Sequence, residues 1–239
     1  MRFAGHAFVD WDDTIAENIR YFREAEAQTS RLIAERTGAD LATVARRGAE
    51  LDVIVARRMG LVKDSLQTAW VECYREFCGL RSVSPEEQVE AELRRICTEP
   101  YEIRQELLPG GPESVAWLHR NGFEVTIWTA GDVGVQSRKI KESGLAPLVH
   151  REAIVLDKSP ERLREFVGER DPARCFVVGN SAHSDIRPAL ALGIAAFHID
   201  VETWAYDQLR LNLEDPNYHR LERIGDLPFA LAKRFRLAV

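Results

Sequence analysis

Apolar positions along the chain follow several rhythms in turn. Ala7, Phe8 and Val9 form a short unbroken run, compatible with a buried strand, that ends in the acidic group Asp10, Asp12 and Asp13. From Ile15 the spacing becomes helical, through Ile19, Phe22, Thr29 and Ile33, until Thr37-Gly38 supplies a stop. Asp40 is placed to cap a second helix along Val44, Leu51 and Val55, and Gly60 precedes a third carrying Leu66, Trp70 and Phe77. Ser84-Pro85-Glu86-Glu87 then offers a capping serine, a proline at the first helical position and a glutamate at the third, ahead of Val89, Leu93 and Ile96. Residues 17 to 99 read as all-helical.

After Pro100 strands and helices alternate. A helix from Pro112 is stopped by Gly122, a strand spans Glu124 to Trp128, and the next helix ends at Gly144. Further strands are expected at Ala153 to Leu156, Cys175 to Val178 and Ala195 to Ile199, with helices beginning near Ser159 and Ser184 and a closing helix over Leu227 to Phe235. Regular alternation implies a parallel sheet with helices on both faces. The first strand has no partner inside the helical segment, so it joins that later sheet. The predicted fold is α/β, a doubly wound parallel sheet formed by residues 1–16 and 100–239, with residues 17–99 inserted as an all-helical domain.

Composition narrows the classes of function. Asp and Glu number 38 against 32 Lys and Arg, a net charge of -6, which offers no field for gathering a nucleic acid. No apolar run approaches the roughly 18 residues that span a bilayer, and the first residues lack a signal peptide's apolar core, so a cytoplasmic, non-membrane protein is expected. Cys73, Cys78, Cys97 and Cys175 form no CxxC pair and read as buried thiols.

In doubly wound sheets ligands bind beyond the carboxyl ends of the strands. Four polar segments stand there: Asp10-Trp11-Asp12-Asp13-Thr14-Ile15, Thr129-Ala130-Gly131-Asp132, Asp157-Lys158-Ser159-Pro160, and Gly179-Asn180-Ser181-Ala182-His183-Ser184-Asp185. Singly, most have a plain structural explanation: Asp12 or Asp13 could cap the helix from Ile15, Asp132 the next helix, and Lys158 could be a surface lysine. The Arg46-Arg47 and Arg57-Arg58 pairs read as solvated helix faces.

In order and together, the four segments resemble the sequence motifs of the haloacid dehalogenase-like (HAD) superfamily. The resemblance covers residues 5 to 199 and implies a Rossmann-like core, with residues 17–99 as a helical cap of the C1 type hinged near residues 15–18 and 99–108. It implies a phosphatase in which Asp10 is the nucleophile and Asp12 the general acid and base. Thr129 and Lys158 complete the catalytic set, and Thr129, Ala130 and Lys158 bind phosphate. Mg²⁺ would be held by Asp10, the Asp12 carbonyl, Asn180 and Asp185. Asn180 departs from the family pattern, which most often has Asp there.

A small phosphorylated metabolite is the expected substrate. Haloacid dehalogenases lack the second aspartate, because a departing halide needs no proton, so Asp12 argues against dehalogenation. A phosphomutase on the same core and a non-catalytic binding module are the alternatives.

Overall fold

The computed structural model describes residues 3–60, 62–204 and 209–235. The chain divides into two compact units, Asn18–Ile103 and a second formed by Met1–Glu17 with Arg104–Val239.

The Asn18–Ile103 unit consists of α1 (Ile19–Thr37), α2 (Leu41–Met59), α3 (Lys63–Arg81) and α4 (Glu87–Glu102). Gly38 ends α1 in the left-handed conformation, and Asp40 caps α2 by accepting from the Thr43 N–H. The apolar stripes meet in one core containing Ile33, Val44, Leu51, Val55, Trp70, Phe77 and Leu93. At Gly48 the helices approach closely: a Cβ there would lie 2.2 Å from the Trp70 ring.

Two helix boundaries depart from the local pattern. Ser84 does not cap α4, which begins at Glu87; the Glu86 N–H donates instead to the Tyr74 hydroxyl at 3.2 Å. Pro100, which suggested a break, lies in the last turn of α4, where only one backbone donor is lost.

The α/β unit carries six parallel strands in the order β3-β2-β1-β4-β5-β6. They are β1 (Gly5–Val9), β2 (Phe123–Ala130), β3 (Arg151–Val155), β4 (Cys175–Gly179), β5 (Ala195–Ile199) and β6 (Tyr218–Leu221). β1 lies between β2 and β4, with Val9 opposite Ile127 on one side and Val178 on the other. The accompanying helices are α5 (Gly111–Arg120), α6 (Val133–Glu142), α7 (Pro160–Val167), α8 (Arg187–Ala191) and α9 (Leu227–Phe235).

Alternate strand residues face opposite sides of the sheet. Val9, Ile127, Val178 and Phe197 pack with Val115, Leu118, Ile140 and Leu231 of α5, α6 and α9. Phe8, Trp128, Val177 and Ala196 pack on the other face with Leu163, Val167 and Ala189 of α7 and α8. The sheet is thus doubly wound.

Ile15 is fully buried in the first of these cores and does not begin α1. Residues 11–16 fold into tight turns in which the Trp11 carbonyl accepts from the Ile15 and Ala16 N–H groups. The Leu108 N–H then donates to the Ile15 carbonyl. Where a helix was expected near Ser184, a single π-helical turn, Ala182–Ile186, leads into a short α8. β6 was not anticipated: only Leu221 of its four residues is buried, as suits a short edge strand. All four cysteines are buried free thiols. Among the described residues no helix is long and apolar enough to cross a membrane.

Candidate active site

Parallel pairing aligns the carboxyl ends of β1, β2 and β4, so the polar residues following them collect at one edge of the sheet. The Asp10 N–H continues the ladder by donating to the Val178 carbonyl at 2.9 Å, which fixes the start of the turn from Asp10 to Ala16. Asp13 takes a left-handed φ of 57° in that turn. Asp12 and Asp13 cap no helix; Asn18 occupies the N-cap of α1.

Asp10 sits in a buried charge cluster. The Lys158 ammonium donates to Asp10 Oδ1 at 2.5 Å and to Asp185 Oδ1 at 2.7 Å, and the Thr14 hydroxyl donates to Asp10 Oδ2 at 2.8 Å. Asp185 is completely buried, and its second oxygen accepts from the Ser181 N–H at 3.1 Å. The π-helical turn presents this carboxylate against the backbone of Gly179, where any Cβ would come within 2.3 Å of Asp185 Oδ2. The only residue that fits beneath Asp185 is glycine.

Two carboxylates share one ammonium, so when both are ionised one negative charge is left in excess out of water. Burial pushes the Asp10 carboxyl up, with Lys158 pulling the other way. Burial and then the Asp10 charge raise Asp185 to about 7. Burial alone would lower Lys158, but Asp10 and Asp185 outweigh it and its pKa is raised.

Asp12 occupies a separate cradle. Its Oδ1 accepts from the Gln105 amide at 2.8 Å and the Lys139 ammonium at 2.8 Å, and its Oδ2 from the Gln136 amide at 2.9 Å. Burial would raise this carboxyl, yet Lys139, Gln105 and Gln136 together hold it below the usual range. The same Gln136 nitrogen donates to the Thr129 hydroxyl oxygen at 2.5 Å.

The predicted site residues thus fall into two adjoining groups. Asp10, Lys158 and Asp185 form one, with Asn180 at its margin, where the Thr14 hydroxyl lies 3.4 Å from its Oδ1. Asp12 and Thr129 belong to the other. Ala130 ends β2 opposite Val155, beside Thr129. Asp132 does cap its helix, accepting from the Val135 N–H at 3.0 Å.

Sequence reasoning missed Gln105, Gln136, Lys139 and the role of Thr14. It also missed His198 on β5, which lies 3.1 Å from the Asn180 carbonyl and 3.0 Å from the Tyr218 hydroxyl. A signal existed for Gln136 and Lys139. Once Asp132 is the N-cap, they share the apolar face of α6 with Ile140, where polar side chains need a reason.

The side-chain oxygens that a cation could draw on here are those of Asp10, Asp185 and Asn180, with Lys158 now between the two carboxylates. No three His, Cys, Asp or Glu side chains gather as a metal group among the described residues. This set still suits Mg²⁺, a hard cation usually held by one or two carboxylates together with water and substrate phosphate. The excess negative charge shared by Asp10 and Asp185 agrees with it.

No protein-family model and no curated protein matches the sequence, so the likeness to known proteins rests on structure. A haloacid dehalogenase-like family hydrolase from Xanthomonas campestris superposes with a TM-score of 0.81 at 22% identity, over 99% of this chain and 98% of the other. A HAD-hydrolase from Bacillus subtilis, bound to magnesium, matches with a TM-score of 0.63 at 18% identity, over 97% and 99%. Phosphatases and L-2-haloacid dehalogenases share the architecture too. The chain has the haloacid dehalogenase-like fold.

Proposed function

We propose that the chain is a magnesium-dependent phosphatase that hydrolyses a small phosphomonoester through a phosphorylated Asp10. The observation that carries this reading is the pairing of a buried carboxylate, Asp10, with a second carboxylate, Asp12, held two residues on by its own donors. A departing halide needs no proton, whereas a departing alkoxide does, so Asp12 favours phosphoryl transfer over dehalogenation.

A carboxylate oxygen of Asp10 attacks phosphorus, the bond to the leaving oxygen breaks, and Asp12, protonated once the substrate is bound, delivers that proton to the leaving oxygen. In the second step Asp12 takes a proton from water as the water attacks phosphorus, releasing inorganic phosphate and restoring Asp10. Splitting one displacement in two in this way is nucleophilic catalysis. Lys158 opposes the protonation of Asp10 that burial favours and offsets charge on the transferring group, while Thr129 donates to a phosphoryl oxygen and Ala130 lies beside it. Held by Asp10, Asp185, Asn180 and the Asp12 carbonyl, Mg²⁺ would supply further neutralisation of the phosphoryl oxygens.

The test assays wild type and Asp10→Asn against a panel of phosphomonoesters with Mg²⁺ and with EDTA. Phosphate release that needs Mg²⁺ and is lost in Asp10→Asn supports the reading. Absence of release from every ester by folded wild type rejects it in favour of a mutase or a binding module.

A further inference from the structure

Helix α6 buries two long polar side chains where an amphipathic helix would place apolar ones. Gln136 and Lys139 are 2% and 7% exposed, one turn apart, and Ile140 beside them packs in the core. Burying an ammonium and an amide costs free energy unless each is partnered. Among their partners are the two groups to which the proposed chemistry assigns proton and phosphoryl contacts, Asp12 and Thr129.

The donors fix two orientations. Gln105 is aligned by the Trp11 indole N–H, which donates to its Oε1 at 2.9 Å and turns its amide nitrogen toward Asp12. With Lys139 on the same carboxylate oxygen and Gln136 on the other, the Asp12 carboxylate is gripped from both ends. The Gln136 nitrogen has two hydrogens, one directed to Asp12 Oδ2 and one to Thr129 Oγ1. An amide N–H can only donate, so the Thr129 oxygen accepts and its own hydroxyl hydrogen is left to donate elsewhere.

We propose that Gln136 and Lys139, together with Gln105, are positioning residues that hold Asp12 in one pose and turn the Thr129 hydroxyl outward as a donor to a substrate oxygen. The proposal rests on the phosphatase reading for its kinetic consequence but not for its geometry. A loosened Asp12 delivers its proton poorly, which matters for an alkyl phosphate and hardly matters for p-nitrophenyl phosphate, whose leaving group departs as a stable anion.

The experiment compares wild type, Lys139→Met and Lys139→Arg on both esters with Mg²⁺, reading kcat/KM, which reports through phosphoryl transfer to Asp10. Lys139→Met is expected to lower kcat/KM for the alkyl ester about 10-fold more than for the nitrophenyl ester, part of the 10²- to 10⁴-fold that acid–base catalysis supplies. Lys139→Arg should recover most of that loss. Equal losses on the two esters, or none, overturn the proposal. If wild type releases phosphate from neither of these nor from any other ester of the panel, the phosphatase reading fails, and the positioning role is decided by the Trp11 indole N–H signal in ¹⁵N-labelled protein, assigned with Trp11→Phe. Movement of that signal in Lys139→Met and its return in Lys139→Arg supports the role; an unmoved signal overturns it.

Discussion

Both units carry ion pairs at the surface, and they differ in that the α/β unit also buries a paired charge cluster. In the helical unit ion pairs lie at the surface: Arg47 with Glu50 and Glu76, Arg58 with Glu72, Arg75 with Glu90, and Arg95 with Glu92 and Glu99. The buried hydroxyls of Thr29, Ser30 and Thr37 donate to carbonyls of their own helix. In the α/β unit, Asp10, Lys158 and Asp185 are removed from water together, and Lys139 pairs with Asp12. A buried pair contributes little net stability, since desolvation opposes its attraction. Charge concentrated at strand ends therefore calls for a reason other than stability, which the proposed chemistry supplies, whereas the helical unit gains its stability from apolar packing.

This contrast can be broken from either side. Asp10→Asn leaves Lys158 paired with Asp185, one to one, and on the phosphatase reading should reduce turnover on the order of 10⁴-fold or more, as nucleophile removal does. The same change should leave thermal stability unchanged or raised, because the excess buried charge is gone; a lowered Tm would contradict the charge balance drawn here. Lys158→Met leaves two buried carboxylates uncompensated and should cost about 3–5 kcal/mol in denaturant unfolding.

In the helical unit packing should dominate. Gly48→Ala forces a Cβ into the Trp70 ring and should cost about 1–3 kcal/mol, whereas Gly79→Ala, with open space around it, should stabilise α3 by about 0.5–1 kcal/mol. Paired melts of the two variants check the difference in sign.

One carboxyl of the helical unit sharpens the comparison. Burial first, and then the charge of Glu26, raise Asp52 to about 6, with Arg23 a lesser opposing influence. Since its folded value lies above its ordinary one of 3.8, its contribution favours folding at low pH and is lost as pH rises from about 4 through 6. Asp52→Asn should therefore stabilise the protein by roughly 1–2 kcal/mol at pH 7.5 and hardly at all at pH 4. A gain that is independent of pH would refute this account. The smallest effect belongs to the exposed pairs: Arg75→Ala should change stability by no more than about 1 kcal/mol, and less in high salt.

Much of the fold is legible along the chain because periodicity and punctuation are local. Gly38, Gly122 and Gly144 all take positive φ just past the helix or turn they end. Asp40, Asp132 and Ser159 cap the helices they precede. Asp10, Lys158 and Asp185 are visible because each lies a few residues beyond an apolar strand. Where a tertiary contact outbids a local one the reading fails: Ile15 continues a helical spacing yet belongs to the sheet's core, and Tyr74 takes the backbone donor that Ser84 was placed to organise. β6 escaped notice because an edge strand with one buried residue carries almost no apolar pattern.

The sequence by itself determined the alternation of elements, the helical character of residues 17–99 and the acidic strand end that holds the candidate nucleophile. Such features depend on hydrogen bonds and side-chain spacing within a few residues. Only the tertiary structure decided that β1 lies between β2 and β4, that one lysine bridges Asp10 and Asp185, and that Asp12 is held from 93, 124 and 127 positions away by Gln105, Gln136 and Lys139. Contacts over such separations arise from how sheet and helices pack, and a polar residue's spacing along the chain carries no record of the partner that packing will bring to it.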